Sequence, residues 1–242
     1  MLVKDPINKW GKEDTIGPAE QSVRGQAPPS VFDKRGELLY WDDFESQSKK
    51  YQDWVTAASA GSVERSTENS KFGDFCTKLV TGTTIADSAA VYYYLSDFNI
   101  DRIGAEISFA SASVNSYIYI DLNYYDGTTQ LRGKIAYDLA TDILQVWSGG
   151  AWVSAATLPM FMGSSGDRLP FTTIKLVMDL ANNNYVRALC AGSEVDLSAY
   201  TPITVADATK RGVVAYVWFQ TKAASAQTAY IDDFKFTGNE PL

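Results

Sequence analysis

Two stretches at opposite ends of the chain share one pattern. Leu38-Leu39-Tyr40-Trp41-Asp42-Asp43-Phe44-Glu45 and Ala229-Tyr230-Ile231-Asp232-Asp233-Phe234-Lys235-Phe236 each run from apolar and aromatic residues through two aspartates into a phenylalanine. Short runs that alternate or stay apolar, rich in aromatics, suit a pleated strand better than a helix. We read the two as neighbouring strands that close one β-sandwich. Everything between them then belongs to a single unit, residues 38–242, and residues 1–37 form an appendage. A chain of 242 residues holds one or two domains, but a sandwich of about 200 to 250 residues is commonly one core.

The intervening sequence alternates with a period of two. In Ser116–Tyr125, Ile118, Ile120, Leu122 and Tyr124 fall on one face while Tyr117, Tyr119, Asp121, Asn123 and Tyr125 fall on the other, because successive strand side chains point to opposite sides. The first set reads as core. Asp126-Gly127 is a hairpin signal, and Gln130–Leu139 returns with Leu131, Ile135, Tyr137 and Leu139 inward. Ile174, Leu176, Met178 and Leu180 repeat the pattern, and the middle ring of Tyr92-Tyr93-Tyr94 is expected on the face opposite its neighbours. About twelve short strands emerge and no helix, with Tyr51–Trp54 and residues 191–211 read as connections. The predicted class is all-β, an antiparallel two-sheet sandwich.

Residues 1–37 show neither period. Pro6, Pro18, Pro28 and Pro29 alternate with Gly11, Gly17, Gly25 and Gly36, and such a segment buries too little apolar surface to offset its own ordering entropy. It is expected to be an extended arm that takes order from a surface it borrows, either its own sandwich or neighbouring subunits of an assembly. Trp10, Ile16, Pro28, Pro29, Val31 and Phe32 are its expected anchors. Fully extended it reaches roughly 110 to 130 Å, enough to cross an adjacent protein.

Charge and residue usage exclude several classes. The net charge is -8, and the arm's six basic and six acidic side chains cancel, so the excess sits on the body. That sign repels nucleic-acid phosphates and leaves no basic arm for a membrane surface. Histidine is absent, which removes the commonest neutral-pH general base and transition-metal ligand. Cys76 and Cys190 lie in apolar runs that favour buried thiols, with one long-range bridge between them left open. The longest apolar run, Val213–Phe219, is far too short to span a bilayer. Met1–Pro6 opens no secretion leader, so a soluble product of a cytoplasm is expected.

Phe171–Asp179, the Asn182-Asn183-Asn184 turn, Tyr185–Ala188 and the closing Tyr230–Phe234 resemble the closing half of concanavalin A-like or laminin G-like jelly-roll modules, with Trp41–Glu45 as the opening strand. The resemblance implies a jelly roll. Its members include carbohydrate-binding modules, glucanases and decoration or fibre proteins of bacteriophage particles, so the fold leaves the activity open.

Jelly-roll glucanases carry Glu-x-Asp-x-Glu or Glu-x-Asp-x-x-Glu on a strand, and retaining hydrolysis needs two carboxylates about 5 to 5.5 Å apart. Glu194-Val195-Asp196 lacks the third carboxylate, and Glu64 and Glu68 lie in a polar run, so the chain is read as no enzyme. Asp42 and Asp232, beside Asp43 and Asp233, are either ligands of a structural Ca2+ or solvent-facing caps of strand ends; no other cofactor is implied. The face of Tyr117, Tyr119, Asp121, Asn123 and Tyr125 is open to three readings: a sugar-stacking surface, a subunit interface, or a layer beneath the arm.

The arm, the acidic body and the missing leader together point to a non-enzymatic structural protein of a virus particle. The expectation is a bacteriophage capsid decoration (cement) protein, assembled in the host cytoplasm, whose arm engages capsid subunits and other copies of itself. The alternative is a carbohydrate-binding module or lectin-like protein whose partner is a glycan.

Overall fold

An apolar residue at every second position gives a strand one face that must be hidden, and two sheets hide such faces against each other. In the computed structural model, which describes residues 33, 35–46, 48–55, 61–96, 100–159 and 169–242, this happens with sixteen strands and no helix among those residues. The first eight are β1 (Glu37–Asp42), β2 (Gln52–Val55), β3 (Ser62–Ser66), β4 (Cys76–Val80), β5 (Ser88–Leu95), β6 (Arg102–Ser111), β7 (Ser116–Asp126) and β8 (Thr129–Asp138). The others are β9 (Ile143–Ser148), β10 (Ala151–Thr157), β11 (Thr172–Asp179), β12 (Asn184–Cys190), β13 (Ser193–Asp196), β14 (Ile203–Ala206), β15 (Arg211–Thr221) and β16 (Thr228–Gly238). One sheet runs β13-β12-β11-β6-β16-β4-β3 with β1 also on β16; the second runs β10-β9-β8-β7-β15-β5-β2 with β14 on β8. Every pairing is antiparallel. The arm residues Trp10, Ile16, Pro28, Pro29, Val31 and Phe32 lie outside the described residues.

The core follows the alternation. Ile118, Ile120 and Leu122 from the second sheet and Ile174, Leu176 and Met178 from the first are fully buried in one cluster. Tyr93 is 2% exposed and Tyr94 55%, so the three tyrosines split between faces as expected. The strands read as connections are β2, β13 and β14, each four residues long and mostly exposed. Strands without a buried face carry no alternation to read. Cys76 and Cys190 are free buried thiols, and burial pushes the Cys76 thiol up to about 12.

The two repeated stretches do pair. β1 lies against the second half of β16, with Trp41 opposite Lys235 and Asp42 opposite Phe234, while β4 pairs the first half, Thr228–Ile231. Partners change at Asp232-Asp233, where a bulge interrupts the pairing with β6 and Asp233 takes φ 64. A bulge re-aims side chains out of the alternation. Asp232 then accepts the backbone N–H groups of Lys71 (2.8 Å) and Phe72 (3.3 Å), and Asp233 accepts the Trp41 indole N–H at 2.7 Å. Phe234, next along, stacks on Tyr93 with centroids 3.8 Å apart and planes 4° from parallel.

Charged residues are sealed against the outer side of the first sheet. Lys175, fully buried, places Nζ 2.9 Å from Asp33 Oδ2 and 2.6 Å from Glu240 Oε1, and Arg187 Nη2 is 2.5 Å from Glu240 Oε2. Two cations and two carboxylates so placed neutralise one another, without which burial is prohibitive. Gly104 makes the crossing feasible, since a Cβ there would lie 2.7 Å from Lys175 Cε. Burial pushes the Asp33 carboxyl up, but the Lys175 charge and hydrogen bonds from Arg35 and Lys175 outweigh it and hold the pKa at about 2.

On Asp232 burial prevails, and the carboxyl is pushed from 3.8 up to about 8 despite its two backbone donors. The folded chain therefore holds a proton that the unfolded chain has released. The stability this group contributes is present below about pH 4 and is lost as pH rises to about 8. Asp232→Asn is expected to raise the thermal midpoint relative to the parent at pH 8, with the gap closing toward pH 4. Calorimetric scans across that range check it.

Candidate functional site

The half of β7 that alternates with the core emerges on the outer face of the second sheet, where antiparallel register lines up side chains from neighbouring strands. Tyr119 stands between Trp218 of β15 and Ala136 of β8, and Asp121 between Tyr216 and Lys134. All five residues singled out in the sequence share this face. They are less open than a plain surface row: Asp121, Asn123 and Tyr125 are 3%, 2% and 4% exposed.

Rings cover this face in two chains. Tyr117, Tyr119, Trp152 and Trp147 form one, with successive centroids 5.5, 5.5 and 5.1 Å apart. Ala136, small and buried beside Tyr119, leaves room for the Trp152 ring of β10 to reach across. Trp54, Trp218, Tyr216 and Tyr92 form the other, at 6.2, 5.6 and 5.2 Å, with Tyr216 and Trp218 stacked at 22°. Four of the six tryptophans of the chain are thus gathered on one side of one sheet. Trp152, Tyr119 and Trp218 border an open cleft of about 320 Å³, whose polar lining is Ser88, Asp121, Arg132, Lys134 and Gln220.

The polar lining is internally braced. Arg132 donates to Asp121 through Nη2 at 2.7 Å and Nε at 3.2 Å, Lys134 Nζ lies 3.1 Å from the same carboxylate, and Asn123 Nδ2 donates to it at 3.0 Å. Gln130 fixes the Asn123 amide in turn, at 2.6 Å. The hydrogen bond to Asp121 raises the pKa of Arg132 further. Tyr119 donates its hydroxyl to Gln220 Oε1 at 2.7 Å, and burial pushes that hydroxyl well above the usual phenol range, so it stays a donor at neutral pH. Asp121 is the one carboxylate among the described residues bordering the cleft.

A core residue sets the spacing beneath. The Tyr185 hydroxyl, reaching across from β12, accepts the Lys134 N–H at 2.8 Å and donates to the Trp147 carbonyl at 2.7 Å, bridging β8 and β9 where those two residues face the cleft side. Gly133 clears its path, because a Cβ there would lie 2.9 Å from the Tyr185 ring.

The other sequence candidates are not brought to this face. Asp42 and Asp232 are each 1% exposed, which overturns their reading as solvent-facing caps. Asp42 is spent on the Phe44 N–H (3.0 Å) and the Tyr93 hydroxyl (3.2 Å), and Asp232 on the loop before β4. Among the described residues no three acidic, histidine or cysteine side chains converge on a metal position. Glu194 pairs with Arg35 at 2.5 Å, and Glu68 with Lys78 and Tyr230. Trp147, Trp152, Trp218, Arg132 and Lys134 were missed by sequence reasoning. The Asp126-Gly127 hairpin held part of the signal, since its register sets Lys134 opposite Asp121.

No protein-family model and no curated protein matches the chain. Solved structures do. An endo-β-1,4-glucuronan lyase from the fungus Trichoderma reesei superposes with a TM-score of 0.56 at 9% identity, over 84% of this chain and 96% of that one. A cellulose-induced protein gives 0.54 at 14% identity, over 82% and 96%, and a Bacillus subtilis protein of unknown function with a galectin-like fold gives 0.53 at 14%, over 85% and 97%. At such identities the likeness shows the fold, a concanavalin A-like jelly-roll sandwich. It corrects one expectation outright: a fold shared with a glucuronan lyase removes the ground for reading the chain as no enzyme. None of these three neighbours is described as a capsid or virion protein, so the capsid-decoration expectation takes no support from them.

Tyr185→Phe deletes both bridging hydrogen bonds while keeping the ring. It is expected to cost about 1 to 3 kcal/mol, the usual penalty for stranding buried backbone groups. Urea unfolding, with faster amide exchange at Lys134, checks it.

Proposed function

We propose that the protein binds a polysaccharide chain along the outer face of the second sheet, centred on the cleft at Tyr119. The observation that carries this is the meeting of half-buried rings with braced hydrogen-bonding groups in one open groove. A sugar ring has an apolar face and a polar rim. It is held by stacking on indole and phenol planes while amide, guanidinium and hydroxyl groups take its oxygens. Here the rings come from six strands, and the polar groups come from β8 among them and from the ring-bearing β5, β7 and β15, so both kinds of contact are met at once. The cleft is open rather than closed, which suits the interior of a long chain. The shared fold of a glucuronan lyase and a cellulose-induced protein supports the same reading.

The test is affinity electrophoresis against a panel of soluble polysaccharides, followed by calorimetric titration of those that retard the protein. Trp152→Ala removes a ring that borders the cleft and is expected to weaken binding about tenfold or more, which is about 1.4 kcal/mol, with the far-ultraviolet spectrum unchanged. Failure of the intact chain to bind any member of the panel would overturn the proposal.

A further inference from the structure

Resting on that reading, we infer that the cleft prefers acidic sugars, rings carrying a carboxylate or sulfate, over neutral ones. The polar lining holds one carboxylate and two cations: Asp121 is almost wholly buried, whereas the Arg132 and Lys134 side chains keep 39% and 22% of their surface. The carboxylate thus sits beneath its partners and the cations face outward. Arg132 commits Nε and Nη2 to Asp121, and Nη1 makes no hydrogen bond among the described residues. Lys134 has one anionic partner for three ammonium protons. The set carries one net positive charge beside stacking rings, on a protein whose total is -8.

A neutral glycan accepts hydrogen bonds from these groups but leaves that surplus charge without a counter-ion. For neutral hydroxyls, amides of the Asn123 and Gln130 kind suffice, and exposed cations would stay better hydrated without the ligand. An anion bound on Arg132 Nη1 and Lys134 Nζ instead makes charge-assisted bonds, stronger than neutral ones. Asp121 keeps the two cations from repelling each other in the empty cleft and holds the guanidinium plane still. Because the whole protein repels anions at long range, the preference arises at contact and not from steering.

Calorimetry with matched ligand pairs tests this: an oligouronate against the same oligosaccharide with its carboxyls reduced to alcohols, and a sulfated oligosaccharide against its desulfated form. The acidic member of at least one pair is expected to bind tenfold tighter or more, and the pair that responds identifies which anion is taken. Lys134→Gln, which leaves Asp121 its bidentate Arg132, is expected to bring that preference below threefold, whereas Trp152→Ala weakens both members alike. Equal binding within both pairs, or a preference untouched by Lys134→Gln, overturns the selectivity and leaves glycan binding standing. Binding of none of the four overturns both.

Discussion

One strand has to serve three neighbours along the middle of the first sheet. β16 pairs β6 along one edge and divides the other between β4 and β1, so its backbone groups cannot all be satisfied in one unbroken register. The bulge at Asp232-Asp233 resolves the conflict, because side-chain carboxylates reach the donors of the converging segments, Lys71 and Phe72 from one side and Trp41 from the other. Buried polar groups that found no partner would cost more than the strand pairing returns. The chain thereby closes on itself, and Phe234, set down just past the bulge, carries the closure into the core against Tyr93.

The two sheets differ in what their outer sides do with charge. On the first, Lys175, Glu106 and Lys235 stand in a cross-strand row and are all nearly fully buried, with Asp33, Arg187 and Glu240 completing the set around Lys175. Charge there is spent on tying residues before β1 and the chain end to the sandwich. On the second, Asp121 is the buried member and its cations reach the surface among tryptophans. The same types of residue make a seal in one place and a receptive face in the other. Tyr185 connects them, since its ring belongs to the core and its hydroxyl to the ladder beneath Lys134 and Trp147.

The virion reading rested on the arm, the acidic body and the missing leader, and named no particular side chain of the sandwich surface. Within residues 1–37 the described residues are 33 and 35–37, of which Asp33 and Arg35 bind the sandwich itself through Lys175 and Glu194. The glycan reading began from five residues of β7. It gained its force from strands that a linear reading kept apart, because Trp152, Trp218 and Arg132 reach Tyr119 and Asp121 through pairing and not through proximity in sequence.

What sequence alone determined was everything governed by local period. The alternation in β7 and β11 named the core and the class, since a strand buries every second residue whatever its neighbours, and the repeated Asp-Asp-Phe stretches named the strands that meet. It also placed Tyr117, Tyr119, Asp121, Asn123 and Tyr125 on one side. What only the tertiary structure decided was long-range register: which strands lie beside β7, that Asp42 and Asp232 turn inward, and that four tryptophans collect on one face. Register depends on backbone pairing between segments far apart in the chain, and a side chain's character as core, brace or binding group is set by the neighbour that pairing brings.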